Sequence, residues 1–269
     1  MSRIETRFRA LREAHRRALV TFVTAGDPQP AVTLPLKRAL VAAGADIIEL
    51  GVPFSDPMAD GPVIQLGNER ALAHGVTLDD VLDLVSRFRA EDQDTPVVLM
   101  GYLNPIEAKG YAATAASARE AGVDGFIVVD MPPEEAAELH GCLRGQGLDL
   151  IFLLAPTSDE ARIRSVCELA SGFVYYVSLK GVTGAGHLDS DAVARKVAQI
   201  KTITDLPVGV GFGIRDAASA ARISRVSDAV VVGSALVSRV CEHAATPLSI
   251  PAHVAELVAS MRHAMDTAG

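Results

Sequence analysis

Three closely spaced carboxylates, Glu49, Asp56 and Asp60, are the residues of this chain best suited to catalysis. Glu49 stands near the end of the predicted strand Asp46–Leu50, which is otherwise mainly apolar. Strands of a parallel sheet are normally hydrophobic throughout, so a glutamate there is costly unless it is paired or functional. Burial would raise the pKa of its carboxyl group toward neutrality, which suits a general acid or base. Glu49 is therefore predicted to be catalytic, with an ion-paired structural glutamate as the alternative.

The loop after this strand offers two candidates for a second catalytic carboxylate, Asp56 and Asp60. It also contains Pro53, Pro57 and Pro62, which restrict its backbone. Either aspartate could instead cap a helix or form a turn. The residue types alone leave this choice open.

Two glycine-rich segments predict a phosphate site. One runs from Gly209 to Gly213 and the other is Gly233-Ser234, and each follows a predicted strand. Glycine lets the backbone approach a ligand closely, and the N–H groups at a helix start attract anions. Barrels often bind phosphate between the loops after strands 7 and 8. A pair of tight turns is the alternative interpretation.

The elements that must position these residues alternate between short apolar runs and amphipathic helical patterns. The predicted strands are Ala18–Val23, Asp46–Leu50, Pro96–Met100, Asp124–Val129, Asp149–Leu153, Phe173–Val177, Pro207–Val210 and Asp228–Val232. Alternation of this kind predicts parallel strands joined by right-handed crossovers, and eight units predict a closed (β/α)8 TIM barrel. The 269 residues fit one such domain, residues 1–269. An extra amphipathic helix is expected at the N-terminus, and a short phosphate-binding helix after strand 8.

Two connections, 51–65 and 178–190, are longer than the others and follow the second and sixth predicted strands. In a barrel the loops after the strands build the active-site face. The second connection contains Gly181, Gly184 and Gly186, which is typical of a hinged segment. It is predicted to be a lid, with an ordinary surface loop as the alternative.

Several classes of protein are disfavoured by composition. The net charge is −8 and there is no basic stripe, so nucleic-acid binding is not expected. No apolar run is long enough for a membrane helix, and three widely spaced cysteines predict reduced thiols in the cytoplasm. No lysine lies inside a predicted strand and no histidine pair has metal-ligand spacing, which disfavours a Schiff base and a metal.

The segment Glu49–Pro62, with the sequence ELGVPFSDPMADGP, resembles the characteristic motif of the tryptophan synthase alpha chain family. Further matching positions occur in family order over nearly the whole chain. They are Phe22, Thr24–Pro28, Tyr102, Asn104, Pro105, Asp130, Tyr175, Ser178, Gly181–Gly184, Gly211–Gly213, Gly233 and Ser234.

This resemblance implies retro-aldol cleavage of indole-3-glycerol phosphate to indole and glyceraldehyde 3-phosphate, without a cofactor. It implies that Glu49 moves protons, that Asp60 stabilises positive charge at the indole N–H, and that Tyr175 assists. The implied phosphate ligands are Gly184, Gly213, Gly233 and Ser234. The implied indole pocket consists of Phe22, Met100, Ile127, Val129, Leu153 and Phe212. Gly181 and Thr183 would belong to the lid, with Thr183 reaching Asp60 on closure.

The resemblance also implies a partner, the beta chain, in an α2β2 tetramer that passes indole through an internal tunnel. Pyridoxal phosphate is expected only in that beta chain, and residues 53–60 and the region of Asn104 would face it. Two positions depart from the family: Leu179 stands where arginine is common, and Val129 is bulkier than the usual alanine. The alternatives are another phosphate-binding barrel, such as an isomerase or a different lyase, and a non-catalytic activating subunit. The presence of both carboxylates disfavours the activating subunit.

Overall fold

The computed structural model describes residues 2–178, 190–211 and 213–268. Its strands are β1 Ala18–Thr24, β2 Ile47–Gly51, β3 Val97–Gly101, β4 Gly125–Val128, β5 Asp149–Ile151, β6 Leu153–Leu154, β7 Val174–Val177, β8 Val208–Gly211 and β9 Ala229–Val232. Neighbouring strands pair in parallel in the order β5-β4-β3-β2-β1-β9-β8-β7-β6.

The two ends of this order, β5 and β6, are separated along the chain only by Phe152, so the sheet closes on itself. The predicted TIM-type barrel is therefore confirmed. The prediction of one continuous fifth strand, Asp149–Leu153, is wrong in detail. β5 pairs with β4 as far as Ile151, and β6 pairs with β7 from Leu153 onward, so the ladder breaks where the strand changes neighbour at Phe152.

Helices surround this barrel. They are α1 Arg3–Glu13, α2 Pro30–Ala42, α3 Pro62–Leu72, α4 Leu78–Arg89, α5 Leu103–Lys109, α6 Tyr111–Ala121, α7 Ala137–Gly145, α8 Glu160–Leu169, α9 Ser190–Lys201, α10 Ala217–Ser224, α11 Ser234–Glu242 and α12 Ile250–Thr267. The predicted extra helix at the N-terminus is α1, and the predicted helix after the last strand is α11. Helices α3 and α5, which follow β2 and β3, were not predicted from the sequence. Within the described residues, no helix is both long enough and apolar enough to cross a membrane.

Helix α1 closes the amino end of the barrel. Its buried residues Ile4, Phe8 and Leu11 join the apolar cluster inside the barrel. The rings of Phe8 and Phe173 lie 5.8 Å apart, between centroids. The apolar filling therefore begins at the amino end, which leaves the carboxyl ends of the strands to form a site.

Candidate active site

Glu49 lies on β2 between Phe22 of β1 and Val98 of β3, with which it is in register. Because side chains alternate along a strand, Glu49 shares a face with Ile47, which belongs to the interior cluster. The side chain is buried, with 1% of the residue exposed, and its Oε1 has no hydrogen-bond partner among the described residues. This burial raises the pKa of Glu49 to about 8. Glu49 is thus a carboxylic acid that can exchange a proton near neutral pH.

Tyr175 on β7 packs against the same interior cluster. Its ring lies directly over Gly211 of β8, where an added Cβ atom would run into Oη and come within 2.7 Å of Cζ. Burial raises the pKa of the Tyr175 hydroxyl well above its ordinary value, and the nearby Glu49 carboxylate raises it further. The hydroxyl therefore stays protonated and can act as a hydrogen-bond donor.

Asp60 is held by side chains from two different elements. Its Oδ2 accepts hydrogen bonds from the Tyr102 hydroxyl at 3.2 Å and from Asn68 Nδ2 at 3.4 Å. Burial raises the pKa of Asp60, while the bonds from Tyr102 and Asn68 lower it and so favour the ionised carboxylate. Tyr102 also accepts from the backbone N–H of Ala59 at 2.9 Å, which fixes the loop immediately before Asp60.

The structure distinguishes the two aspartates that the residue types left open. Asp56 is exposed and its Oδ2 accepts from the hydroxyl of its neighbour Ser55 at 2.5 Å. Asp60 is half-buried and braced by other elements. The geometry thus favours Asp60 as the second carboxylate of the site.

The expected indole-pocket residues that the structure describes line the barrel interior near Glu49. Phe22 and Ile127 are buried, whereas Met100, Val129 and Leu153 are partly exposed and pack against the interior cluster. An added Cβ atom on Gly51 would lie 2.7 Å from the Phe22 ring, so the glycine makes room for that ring. These side chains give the barrel interior an apolar wall.

The two glycine-rich segments lie side by side because β8 and β9 are paired, with Gly211 opposite Val231. Gly213 follows β8 in the left-handed backbone region, with φ of +75°, which favours glycine. Gly233 and Ser234 follow β9, and Ser234 is the first residue of α11. Backbone N–H groups at such a helix start suit an anion. Gly181, Thr183, Gly184 and Phe212 lie outside the described residues, as does Leu179.

Two side chains at the site were missed by the sequence analysis. Asn68 and Gln65 both lie on α3, whose mixed polar sequence gives little periodic pattern. Asp130, one of the positions that carry the family resemblance, accepts from the backbone N–H of Leu103 at 2.8 Å and so anchors the start of α5. In the parts of the chain that the structure describes, no group of three or more His, Cys, Asp or Glu side chains is arranged to hold a metal ion.

The fold and the site together define a parallel α/β barrel enzyme with a buried carboxyl group of raised pKa on β2. A family model described as tryptophan synthase alpha chain matches residues 8–266. The chain belongs to the tryptophan synthase alpha chain family.

Individual relatives are similar over the whole chain. The tryptophan synthase alpha chain of Thioalkalivibrio sulfidiphilus is 66% identical over 99% of this chain and 100% of its own length. The crystal structure of the alpha subunit from Legionella pneumophila has a TM-score of 0.93 at 43% identity and covers 99% of both chains. The structure of tryptophan synthase from M. tuberculosis in an aminoacrylate-bound form has a TM-score of 0.88 at 34% identity, covering 98% of this chain and 100% of that one.

Membership of this family confirms the resemblance drawn from the sequence. With it come the lyase class, the cleavage of indole-3-glycerol phosphate to indole, and a place in tryptophan biosynthesis. The alpha chain of this family carries no cofactor, and pyridoxal phosphate belongs to the beta chain. An isomerase on a phosphate-binding barrel does not agree with this family.

Proposed function

We propose that Glu49 carries the protons in the cleavage of indole-3-glycerol phosphate. The protonated carboxyl group donates a proton to C3 of the indole, which places positive charge on the ring nitrogen. The resulting carboxylate then accepts the proton of the glycerol hydroxyl. The bond between C3 and the side chain breaks, its electron pair returns to the ring, and the hydroxyl carbon becomes the aldehyde. The observation that supports this role is the buried, partnerless Oε1 with its raised pKa.

Asp60 is the second carboxylate in this proposal, and it stabilises the positive charge that develops at the indole N–H. This requires the ionised form, which the bonds from Tyr102 and Asn68 favour. Tyr175, kept protonated beside Glu49, assists as a donor in the same site.

The substrate is bound through its two ends. The indole ring packs against the apolar wall of Phe22, Met100, Ile127, Val129 and Leu153, together with Phe212. The phosphate group accepts hydrogen bonds from backbone N–H groups near Gly213, Gly233 and Ser234, at the start of α11. Gly184 completes the phosphate site, and Gly181 and Thr183 belong to a lid over it.

A beta chain is the proposed partner, in an α2β2 tetramer in the cytoplasm, and residues 1–269 act as a single domain. The apolar side chains near Asp60 support a partner surface, since Met58 is 80% exposed and Leu66 is 50% exposed. Met58 lies within the segment 53–60 that the family resemblance places against the partner, and Leu66 lies just beyond it on α3.

The proposed role of Glu49 is tested by Glu49→Gln, which keeps the shape of the side chain and removes the titrating proton. Indole release from indole-3-glycerol phosphate is measured with a matching beta chain, and binding of inorganic phosphate is measured in parallel. We expect kcat to fall by about 10³-fold while phosphate binding is retained. The matched control is Glu120→Gln, an exposed glutamate on α6, which should leave both values unchanged. Cleavage by Glu49→Gln at the wild-type rate would rule out this mechanism.

A further inference from the structure

Helix α3 holds both the backbone and the carboxylate of Asp60. Gln65 Nε2 donates to the carbonyl oxygen of Asp60 at 2.9 Å and lies 3.4 Å from that of Pro57. One turn later, Asn68 Nδ2 donates to Asp60 Oδ2 at 3.4 Å. The position of Asp60 therefore depends on where α3 itself is held.

Further along its length, α3 is fixed by an ion pair between a partly exposed arginine and a buried aspartate. Arg70 Nε and Nη2 bond to Asp27 Oδ1 and Oδ2, at 2.6 Å and 2.9 Å respectively. Asp27 lies in the connection between β1 and α2 and is only 2% exposed. Burial raises the pKa of Asp27, and the bond from Arg70 opposes that rise. Two parallel bonds of this kind fix orientation as well as distance.

The same part of α3 packs against two other elements of the site. An added Cβ atom at Gly67 would lie 3.0 Å from Asp27 Oδ2, and 3.2 Å from both Thr24 Oγ1 and Val237 Cγ1. Val237 lies on α11, the helix that begins at the proposed phosphate site. Arg70 Nη1 also lies 3.5 Å from Cys241 Sγ on α11. Helix α3 thus connects the Asp60 loop to the end of β1 and to α11.

We propose that Arg70 is a positioning residue for Asp60, a role that rests on the proposed catalytic function of Asp60. Its ion pair with Asp27 fixes the register of α3 on the barrel. That register places Asn68 and Gln65 where they hold the carboxylate and the backbone of Asp60. Loss of Arg70 leaves Asp27 buried without its cation, so the segment must rearrange to relieve the carboxylate. A displacement of about 1 Å at a charge-stabilising group costs on the order of 10²-fold in rate.

A purely structural ion pair would also explain the contacts, and it makes different predictions. A structural pair lowers the stability of the fold and leaves kcat of the folded enzyme unchanged. A positioning pair lowers kcat with little change in KM, and it acts through Asn68. Loss of the Asn68 bond removes an interaction that lowers the pKa of Asp60, so the acid limb of the kcat profile moves to higher pH.

The test compares Arg70→Met, Asn68→Ala and the double variant by indole release with a matching beta chain, as a function of pH. We expect Arg70→Met to lower kcat about 30-fold to 100-fold, to change KM less than threefold and to move the acid limb upward. In the Asn68→Ala background the same substitution should lower kcat by much less than it does in the wild type, because one of the two contacts of α3 with Asp60 is already lost. Arg70→Lys keeps the positive charge but cannot make two parallel bonds to Asp27, so it should retain part of the kcat that Arg70→Met loses.

Two further variants keep the result interpretable. Asp27→Asn breaks the same pair from the other side and should move the acid limb in the same direction, even if Arg70→Met folds poorly. Arg164→Met removes an exposed arginine of α8 that pairs with Glu160, and it should leave kcat and the pH profile unchanged.

Asp60→Asn separates this inference from the proposed function. If Asp60→Asn cleaves at the wild-type rate, the proposed function fails and the positioning role fails with it. If Asp60→Asn is inactive but the effects of Arg70→Met and Asn68→Ala simply multiply, only the positioning role is overturned. A normal kcat with a lowered unfolding midpoint in Arg70→Met also overturns it.

Discussion

At the amino end of the barrel, Asp46 and Asp124 are nearly as buried as Glu49 is toward the carboxyl end, yet both have charged partners. Asp46 Oδ2 accepts from the backbone N–H of Leu19 at 2.9 Å and from Arg262 at 3.2 Å. Asp124 accepts from Arg89, from Arg3 and from the backbone N–H of Val97 at 2.8 Å. Each aspartate thus ties the start of a neighbouring strand to a helix.

Glu49 has none of these compensations at its Oε1. Among the described residues no cation offsets its burial, and its pKa rises to about 8. A buried carboxylate with such partners fixes the ends of strands, whereas burial without partners favours the protonated acid. The two ends of the barrel therefore differ, with partnered carboxylates at one end and a buried carboxyl group of raised pKa toward the other.

The sharpest test of this comparison is that neutralising the two kinds of carboxylate changes stability in opposite directions. The pKa of Glu49 is 4.5 in the unfolded chain and about 8 in the fold, so the native state binds the extra proton between these pH values. Stability therefore falls as the pH rises through this window, and the cost is complete above pH 8. Glu49→Gln should add about 3 kcal/mol at pH 8.5 and almost nothing at pH 4.

Asp124→Asn is the matched change at the other end. It leaves Arg89 buried opposite a neutral group, and we expect a loss of about 3 kcal/mol at neutral pH. Urea unfolding of both variants between pH 4 and pH 8.5 measures the two effects. Destabilisation by Glu49→Gln at pH 8.5 would show that its carboxylate is stabilised by interactions other than those described.

Much of this arrangement could be predicted from the sequence. Alternating runs predicted the barrel, and one glutamate in an apolar strand predicted the unpartnered acid. Gly44 and Gly122 follow α2 and α6 and both have positive φ, a conformation that favours glycine at a helix end. These features are local, because propensity and backbone conformation decide them.

The partners of those aspartates could not be predicted. An added Cβ atom on Gly44 would lie 2.6 Å from Cγ of Arg262, and one on Gly122 would lie 2.7 Å from Cγ of Arg89, so each glycine also admits an arginine stem. These arginines are distant in sequence from the carboxylates they bind. Helix α3 was missed for a related reason, since its polar residues serve Asp27 and Asp60 and leave no continuous apolar stripe.

The contrast between partnered and unpartnered buried charges also applies to a lysine in the helix layer, away from both ends of the barrel. Lys37 on α2 is fully buried, its Nζ lies 4.2 Å from the centroid of the Phe88 ring, and it has no hydrogen-bond partner in the described parts of the chain. Burial, and then the charge of Arg89, lower its pKa from 10.5 to about 7. The unfolded chain therefore binds the extra proton between pH 7 and 10.5, and stability rises with pH across that window.

Lys37→Met should consequently stabilise the fold by about 2 kcal/mol at pH 6.5, with the gain vanishing near pH 10.5. Indole release should be unchanged, because Lys37 lies in the helix layer and not at the carboxyl ends of the strands. Lys109→Met, at a lysine paired with exposed Asp79, is the control and should change stability by less than about 1 kcal/mol. Loss of activity in Lys37→Met would contradict this expectation. It would mean that a buried, unpaired charge can matter for activity even when it lies in the helix layer.

The smallest expected effect concerns the close packing of the Tyr175 ring on Gly211, beside Glu49. An added methyl group in Gly211→Ala would press into the Tyr175 ring, with Cζ at 2.7 Å, and tilt the hydroxyl beside Glu49. We expect kcat to fall about tenfold and stability to fall by about 1–2 kcal/mol. Gly141→Ala on α7, where an added Cβ atom meets nothing within 4 Å, is the control. Because Oη is the atom nearest the new methyl group, Tyr175→Phe should recover part of the lost stability in the double variant. If the stability losses of Gly211→Ala and Tyr175→Phe simply add, the strain lies in the backbone of β8 and not at the Tyr175 hydroxyl. Contact between the new methyl group and that hydroxyl would then not explain a loss of activity at Glu49.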